Sequence, residues 1–228
     1  MNRVAVLIPC YNEELTIDLV IEDFIRYLPE ADIYVYDNNS TDMTYAIASL
    51  YEDLYKVHVM RAPEQGKGNV VKKMFSEVSA DIYLMVDGDN TYHAEDARAL
   101  VDGIRYRGYH MMLGDRLSFD YDNTDVRKFH GIGNKIVKFL VNFLYHGNMP
   151  DILTGYRAFS RKFVDDVVRD IKSQGFEIET ELCILALKNN MKTGCVSVRY
   201  TDRPDGSFSK LDTFKDGIKV IRTIFSML

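Results

Sequence analysis

Two aspartates flanking one glycine are the residues of this sequence best suited to holding a metal ion. Asp87 and Asp89 surround Gly88 and follow the apolar run 82–86. Both carboxylates are therefore expected at the end of a buried strand, where the glycine permits close approach to the backbone. Hard cations such as Mg²⁺ or Mn²⁺ bind carboxylates and complete their shell with water and substrate phosphates. The pair indicates a nucleoside diphosphate bridged by a metal ion, and an ordinary acidic turn is the alternative.

Polar residues at positions 37–42 follow another apolar run and precede a segment of helical period. Asp37 and Asn38 offer fixed acceptors and an amide, the groups that hydrogen-bond a base or a ribose. Part of this segment is also expected to cap the next helix, with Ser40 or Thr41 at the N-cap.

Gly66, Lys67 and Gly68 precede a further helical segment. Glycines at a helix N-terminus can present backbone N–H groups to phosphate oxygens, and Lys67 would add a point charge. These residues therefore predict a phosphate contact, with an exposed turn as the alternative.

Carboxylates in the second half of the chain are candidates for binding a sugar hydroxyl or acting as a base. They are Asp151 and the glutamates Glu177, Glu179 and Glu181. A solvated helix face is the alternative for at least one of the glutamates.

Cations in the same half could bind a second phosphate. Arg203, Ser209 and Lys210 flank a Pro-Asp-Gly turn within 203–210, and charge-assisted hydrogen bonds from such groups suit phosphate oxygens. Arg116, Arg127 and Arg157 are further candidates, each with an ordinary surface arginine as the alternative.

Apolar runs of strand length alternate with segments of helical period, which predicts βαβ units and a mostly parallel sheet. In such a sheet the ligand crevice lies beyond the carboxyl ends of the strands, where the polar residues above are placed. The runs are 4–9, 33–36, 57–60, 82–86 and 111–113, and a helix is expected within 15–28. Residues 117–125 are interpreted as a surface loop.

Length and composition favour one α/β domain spanning residues 1–228. The 28 basic and 34 acidic residues give a net charge of −6, which argues against nucleic-acid binding by bulk charge. The three cysteines have no disulfide or zinc-site spacing, and zinc-hydrolase, dinucleotide, P-loop and nucleophile-elbow motifs are missing.

Residues 212–228 are interpreted as an amphipathic helix at a membrane surface.

Taken in order, these segments resemble the family-2 glycosyltransferases of GT-A fold, and the resemblance extends over nearly the whole chain. Within that family they are most similar to the polyprenyl-phosphate glycosyltransferases, such as the dolichyl- and undecaprenyl-phosphate sugar transferases. Two departures stand out: residues 37–40 read Asp-Asn-Asn-Ser where Asp-Asp-Gly-Ser is common, and residues 87–89 read Asp-Gly-Asp where Asp-Ala-Asp is common. The segments that carry the resemblance are 8–14, 37–42, 66–68, 87–89, 154–157 and 203–210.

The resemblance implies a Rossmann-like sheet flanked by helices and an inverting, Mg²⁺- or Mn²⁺-dependent transfer of a sugar from a UDP-sugar or GDP-mannose. It places the enzyme at the cytoplasmic membrane face in the synthesis of cell-envelope or glycoprotein glycans, with any anchor beyond Leu228. The implied metal ligands are Asp87 and, principally, Asp89. The predicted catalytic residues are Asp89, Arg116, Arg127, Asp151 and Arg157, and the predicted donor-binding residues are Pro9, Tyr11, Glu13, Asp37, Asn38, Lys67, Asp87, Gly88, Arg203, Ser209 and Lys210.

The choice of acceptor has a separate physical argument. An alcohol needs a general base, whereas a phosphate monoester with a second pKa of about 6 is already a dianion near neutral pH and needs cations instead. The resemblance places Arg116, Arg127, Arg157, Arg203, Ser209 and Lys210 on this acceptor-phosphate side. A polyprenyl phosphate at a membrane surface is therefore the expected acceptor, and the chain has no tryptophan for the Gln-x-x-Arg-Trp motif of chain-polymerising relatives.

Three alternatives remain at this point. The nearest is a family-2 transferase with a sugar hydroxyl acceptor, in which Asp151 or one of Glu177, Glu179 and Glu181 serves as the base. The second is a nucleotide-sugar binding module without turnover, and the third is a nucleotidyltransferase.

Overall fold

The computed structural model describes residues 2–52, 56–118 and 127–228. Within these ranges, one sheet carries seven strands in the order β3-β2-β1-β4-β6-β5-β7. The strands are β1 (Val4–Cys10), β2 (Asp32–Asp37), β3 (Val57–Arg61), β4 (Ile82–Met85), β5 (Met111–Asp115), β6 (Arg157–Ser160) and β7 (Thr193–Ser197). Strand β6 runs antiparallel to both of its neighbours, and the other pairs are parallel.

Helices cover both faces of this sheet. They are α1 (Ile17–Tyr27), α2 (Thr44–Ser49), α3 (Lys67–Glu77), α4 (Ala97–Arg107), α5 (Arg127–Leu144), α6 (Arg161–Val167), α7 (Ile178–Lys188) and α8 (Thr213–Ser226), with a short 3₁₀ turn at Ala94–Asp96. No helix in the described ranges is long and apolar enough to cross a membrane.

The core consists of two apolar layers, one on each side of the sheet. Strand β1 is buried along its whole length; Leu7 packs into the layer covered by α3, α5, α6, α7 and α8, and Val6 into the layer covered by α1 and α4. A strand buried on both faces has a continuous apolar sequence. This explains why the run 4–9 predicts a strand although its residues do not alternate between apolar and polar types.

The prediction of a mostly parallel α/β fold is confirmed. The five predicted apolar runs correspond to β1 to β5, and α1 lies within 15–28. Strands β6 and β7 were not predicted, because both are short and β7 has the weakly apolar sequence Thr-Gly-Cys-Val-Ser. Of the predicted surface loop, residues 119–125 lie outside the described residues.

The parallel arrangement brings the residues that follow β1, β2, β4 and β5 to one edge of the sheet. The backbone registers of β1 with β2 and β4 align Cys10 with Asp37 and Leu7 with Met85. The polar segments after these strands are therefore neighbours in space, although they are tens of residues apart in the chain.

Candidate active site

A cleft with a volume of about 100 Å³ lies at this edge of the sheet. It contains all the predicted donor-binding residues except Asp37, including the distant segment with Arg203, Ser209 and Lys210. The lining residues are Pro9, Cys10, Tyr11, Glu13, Asn38, Lys67, Val70, Asp87, Gly88, Asp89, Phe176, Arg203, Ser209 and Lys210.

Arg203 forms ion pairs with two carboxylates of the cleft, those of Asp89 and Glu13. Its Nη2 lies 2.5 Å from Asp89 Oδ2, and its Nη1 lies 3.2 Å from Glu13 Oε1. Lys210 Nζ lies 2.7 Å from the same Glu13 oxygen. The segment after β7 therefore supplies two cations to carboxylates that follow β1 and β4.

Burial changes the protonation chemistry of these carboxylates. It raises the pKa of Glu13, against the opposing effect of Lys210 and Arg203. Burial, followed by repulsion from Asp87, likewise raises the pKa of Asp89. Both groups depend on nearby positive charge to remain ionised, because a buried charge without a partner is strongly disfavoured.

Lys67 holds a second pair of carboxylates. Its Nζ lies 2.5 Å from Asp87 Oδ1 and 2.6 Å from Glu179 Oε1. Burial alone would lower the pKa of Lys67, but the two carboxylates raise it above its ordinary value. The ammonium group is therefore charged and fixed between a residue after β4 and a residue at the start of α7.

The glycines beside Lys67 allow two backbone segments to approach closely. A Cβ at Gly66 would lie 2.1 Å from the carbonyl oxygen of Gln174, and one at Gly68 would lie 2.3 Å from that of Ser173. The chain at 173–174 thus covers the N-terminus of α3. The N–H of Gly66 donates to Asn38 Oδ1, and that of Asn69 donates to the carbonyl oxygen of Gln174, so these two groups are already used inside the protein.

The two predicted base-binding residues differ in their surroundings. The Asn38 amide donates to the carbonyl oxygens of Ala62 and Glu64 and accepts from the N–H of Gly66, so its N–H groups fix the loop after β3. Asp37 lines a neighbouring cleft of about 300 Å³. Its Oδ1 is buried and has no hydrogen-bond partner among the described residues, which leaves it available to a donor group of a ligand.

The predicted helix cap in segment 37–42 is wrong. Helix α2 begins at Thr44, and its N-cap residue makes no side-chain cap bond. Ser40 Oγ instead accepts from the N–H of Asn12, and Thr41 donates its N–H to the Asn12 side chain. These residues join the turn after β2 to the turn after β1, which the sequence could not indicate because the contact is between separate segments.

Arg116, which follows β5, and Asp151, which precedes β6, form a buried ion pair. Arg116 Nε lies 2.8 Å from Asp151 Oδ2, and Nη2 lies 3.0 Å from Oδ1. Asn134 and the N–H of Leu153 donate to the same carboxylate, and the Arg116 guanidinium lies over the Tyr200 ring. Burial alone would raise the pKa of Asp151, but Arg116 lowers it below its ordinary value.

Arg157 does not reach the cleft. The residue is fully buried, and its guanidinium donates to the carbonyl oxygens of Ile152, Thr154 and Glu179. The expectation that Arg157 meets an acceptor phosphate does not fit this placement, because its donors are used inside the protein. Arg127 is the first residue of α5, and the placement of its side chain lies outside the described part of the chain.

The interpretation of a solvated glutamate face on α7 is also wrong. Glu177 and Glu181 are buried. Glu181 accepts from the N–H groups of Lys172 and Ser173, and Glu177 accepts from those of Gln174 and Gly175. Carboxylates at a helix N-terminus are favoured by the helix dipole, and here they also bind the preceding loop.

The acidic pair suits a divalent metal ion. Asp87 and Asp89 provide the carboxylate oxygens that Mg²⁺ and Mn²⁺ prefer. Within the described ranges no group of three or more metal-binding side chains is arranged around one point. The pair therefore fits an ion that takes its remaining ligands from a diphosphate and water, and does not form a closed protein cage.

Residues 5–168 match the model of the glycosyl transferase family 2, and the chain belongs to this family. Glycosyltransferase AglJ of Haloferax volcanii is 38% identical over 217 residues, covering 95% of this chain and 69% of the relative. Polyprenol monophosphomannose synthase of Mycolicibacterium smegmatis is 26% identical over 214 residues, covering 90% and 80%. The fold is also that of glucosyl-3-phosphoglycerate synthase from Mycobacterium tuberculosis, which was crystallised with Mn²⁺, uridine diphosphate and phosphoglyceric acid. The superposition has a TM-score of 0.77 at 22% sequence identity and covers 99% of this chain and 78% of that one.

The protein is therefore a glycosyltransferase with the GT-A fold, as the resemblance in the sequence indicated. Two cleft features were not found from the sequence. Phe176 lines the cleft but looked like an ordinary apolar residue, and the contact of Glu179 with Lys67 joins residues 112 positions apart.

Proposed function

We propose that this protein transfers a sugar, with inversion, from a UDP-sugar or GDP-mannose to a polyprenyl phosphate, assisted by Mg²⁺ or Mn²⁺. An oxygen of the acceptor phosphate attacks the anomeric carbon of the sugar. The bond from that carbon to the diphosphate oxygen breaks, and the nucleoside diphosphate leaves with the bonding electrons.

The observation that supports a phosphate acceptor is that each carboxylate considered as a base is held by other groups. Asp151 is paired with Arg116, Glu179 with Lys67, and Glu177 and Glu181 accept backbone N–H groups. A general base must be able to take a proton from the acceptor. A phosphate dianion needs no such base, so this arrangement favours it over an alcohol.

Arg203 and Lys210 are the proposed contacts of the donor diphosphate. Both residues line the cleft and now neutralise Glu13 and Asp89. A diphosphate entering the cleft would give these cations a stronger anionic partner, and charge-assisted hydrogen bonds would hold it. Asp87 and Asp89 would hold the metal ion, which stabilises negative charge on the leaving diphosphate when bound.

The acceptor site is proposed at Arg116, which directly follows β5 and whose orientation is fixed by Asp151. The names of two relatives agree with a lipid-phosphate acceptor. They are the polyprenol monophosphomannose synthase described above and a dolichyl-phosphate beta-glucosyltransferase of Dictyostelium discoideum, which is 24% identical over 239 residues.

A membrane surface is the proposed location, because two helices carry exposed apolar side chains. Phe214, Ile218 and Phe225 are exposed on α8, with spacings of four and seven residues that place them on one face. Exposed Phe139 and Phe143 stack on each other on α5, with ring centroids 5.6 Å apart. We propose peripheral binding at the cytoplasmic face of the membrane.

The reaction is tested by measuring release of the nucleoside diphosphate from UDP-glucose, UDP-galactose, UDP-N-acetylglucosamine and GDP-mannose with Mg²⁺ or Mn²⁺. Each donor is incubated with a short polyprenyl phosphate, with the matching polyprenol, with a free sugar, and with no acceptor. Release that requires the phosphate supports the proposal. Equal release with the polyprenol or with a free sugar would favour the hydroxyl acceptor, and no lipid-dependent release from any donor would contradict the proposal.

Membrane binding is tested separately by sedimentation with vesicles that contain or lack anionic lipid. The double variant Ile218→Ser with Phe225→Ser should remain in the supernatant while the parent protein sediments. Leu19→Ser, which changes an exposed apolar residue on α1, is the matched control. Equal sedimentation of all three proteins would contradict a role for α8.

A further inference from the structure

Both carboxylate oxygens of Asp89, the principal proposed metal ligand, already have partners within the protein. Oδ2 lies 2.5 Å from Arg203 Nη2, and Oδ1 accepts from the hydroxyl and the N–H of Thr91, at 2.7 and 3.2 Å. The side chain of Asp89 is only 6% exposed. A divalent ion that binds Oδ2 would therefore meet the Arg203 guanidinium, a like charge, at close range.

Arg203 belongs to residues 201–212, a segment between β7 and α8 that forms neither strand nor helix; we name it the strap. Arg203 Nη1 also donates to the Ser207 hydroxyl and to the carbonyl oxygen of Phe208, both at 3.3 Å. The guanidinium is thus bonded to its own segment as well as to Asp89. A movement of the strap would consequently carry it away from the carboxylate.

The buried carboxylates of the cleft need a positive charge beside them, because a buried charge without a partner is strongly disfavoured. Arg203 supplies this charge to Asp89, whereas Glu13 pairs with both Arg203 and Lys210. If Arg203 moved away, Glu13 would keep Lys210, but Asp89 would lose the one cation with which it pairs among the described residues. A divalent ion at Asp89 would replace that lost charge.

Arg203 in turn needs a new anion when it leaves Asp89. The donor diphosphate offers oxygens suited to charge-assisted hydrogen bonds with a guanidinium. A divalent ion alone gives Arg203 no such partner, and a diphosphate alone draws Arg203 away without replacing it at Asp89. Each ligand therefore removes the cost that opposes binding of the other.

We propose that Arg203 is a switch at the metal site, bound to Asp89 until a divalent ion and the donor diphosphate enter together, and then bound to the diphosphate. The strap thereby lowers the affinity of the nucleotide-free enzyme for the ion and makes ion and nucleotide bind cooperatively, with equal coupling in both directions. This inference rests on the proposed function, because it requires a nucleoside diphosphate donor and a metal ion at Asp87 and Asp89. It adds to the diphosphate contact a role for Arg203 before any nucleotide binds.

The first test measures Mn²⁺ binding to the nucleotide-free protein by electron paramagnetic resonance of the free ion, a readout that does not depend on turnover. We expect Arg203→Gln to raise the Mn²⁺ affinity by about tenfold, because the charge-assisted bond to Asp89 no longer has to be broken. Lys210→Gln is the matched control. It removes an equal charge from the same cleft, but Lys210 pairs with Glu13, so the affinity should change by less than about threefold.

An unchanged Mn²⁺ affinity in Arg203→Gln, or an equal gain in both variants, would overturn the inference. The same titration with UDP or GDP present measures the coupling. In the parent protein the nucleotide that binds should raise the Mn²⁺ affinity by about tenfold or more, and this gain should be smaller in Arg203→Gln. An equal gain in that variant would overturn the inference and leave the proposed function standing, whereas a parent protein without any gain would overturn the metal role in the proposed function as well.

A second measurement follows the strap itself and does not require the Arg203 variant to fold. The chain has no tryptophan and Phe208 is 77% exposed, so Phe208→Trp places a single fluorophore in the strap. Mg²⁺ together with UDP or GDP should change its emission, whereas Mg²⁺ alone should not. Tyr106→Trp, at an exposed position of α4, is the control and should not respond. Constant emission of the Phe208→Trp protein with both ligands present would contradict movement of the strap.

Discussion

Arg116 donates two hydrogen bonds to the two oxygens of Asp151, from Nε at 2.8 Å and from Nη2 at 3.0 Å. Asp151 is fully buried, and Asn134 on α5 donates to the same carboxylate. The end of β5, the helix α5 and the turn before β6 thus meet at one ion pair. This relationship favours a supporting role for Asp151 towards Arg116 over the general base that the sequence allowed.

Removing Asp151 should destabilise the fold. The variant Asp151→Ala leaves the Arg116 guanidinium without its partner, and breaking a buried pair from one side lowers the free energy of unfolding by about 3–5 kcal/mol. Urea unfolding measures this change. Asp166→Ala removes an exposed partner of Lys162 and should change stability by about 0.5 kcal/mol or less; equal effects of the two variants would contradict the structural role of Asp151.

The stability contribution of Asp151 should depend on pH in a defined direction. Its pKa is lower in the folded protein than the ordinary value of 3.8, so the contribution is fully present above that value and is lost as the pH falls through the folded pKa. The difference in unfolding free energy between the parent and Asp151→Asn should therefore shrink as the pH is lowered below about 4. If this difference in unfolding free energy instead grew as the pH was lowered, the result would contradict a lowered pKa of Asp151 in the folded protein.

Removing the two cations of the segment after β7 should impair the reaction. Arg203→Ala and Lys210→Ala each remove a proposed diphosphate contact, and the loss of one such electrostatic contact typically lowers kcat by about a hundredfold. Steady-state kinetics with the donor that the release assay selects measure the effect. Lys215→Ala, which changes an exposed lysine on α8, should retain the parent activity, and normal rates for both cation variants would exclude the proposed contact.

Asp89 should be required for metal-dependent turnover. Asp89→Asn keeps the shape of the side chain but removes the charge that a divalent ion needs. We expect turnover to fall by at least about a hundredfold with near-parental thermal unfolding, and chelation of the metal should abolish parent activity until Mg²⁺ or Mn²⁺ is restored. Substantial turnover in the variant or after chelation would exclude the metal role.

The glycine at position 68 should be required for packing. A Cβ at Gly68 would lie 2.3 Å from the backbone oxygen of Ser173, so Gly68→Ala forces apart two backbones and should lower the free energy of unfolding by about 2–3 kcal/mol. Gly217→Ala is the control, because a Cβ there meets no atom within 4 Å. In the interior of α8 it should stabilise by about 0.5–1 kcal/mol.

The sequence predicted the fold because its central strands are buried on both faces. Runs such as 4–9 and 82–86 are apolar throughout, and the polar residues after them mark the edge where a parallel sheet binds ligands. That reasoning placed Glu13, Asp87 and Asp89 at one site, where the structure has them lining a single cleft. The family was recognisable partly for the same reason, since several of its motifs, such as 37–42 and 87–89, are strand-end segments of this kind.

Only the tertiary structure decided what the charged residues contact. Arg157 and Glu181 are buried, although charged residues of these types usually lie at the surface or bind a substrate. Their partners are backbone groups brought near by folding, and the Lys67–Glu179 contact joins α3 to α7 across 112 positions. Residue type and spacing thus determined where the polar groups gather, whereas the packing of β6 and α7 decided which of them are used by the protein itself and which remain directed at a ligand.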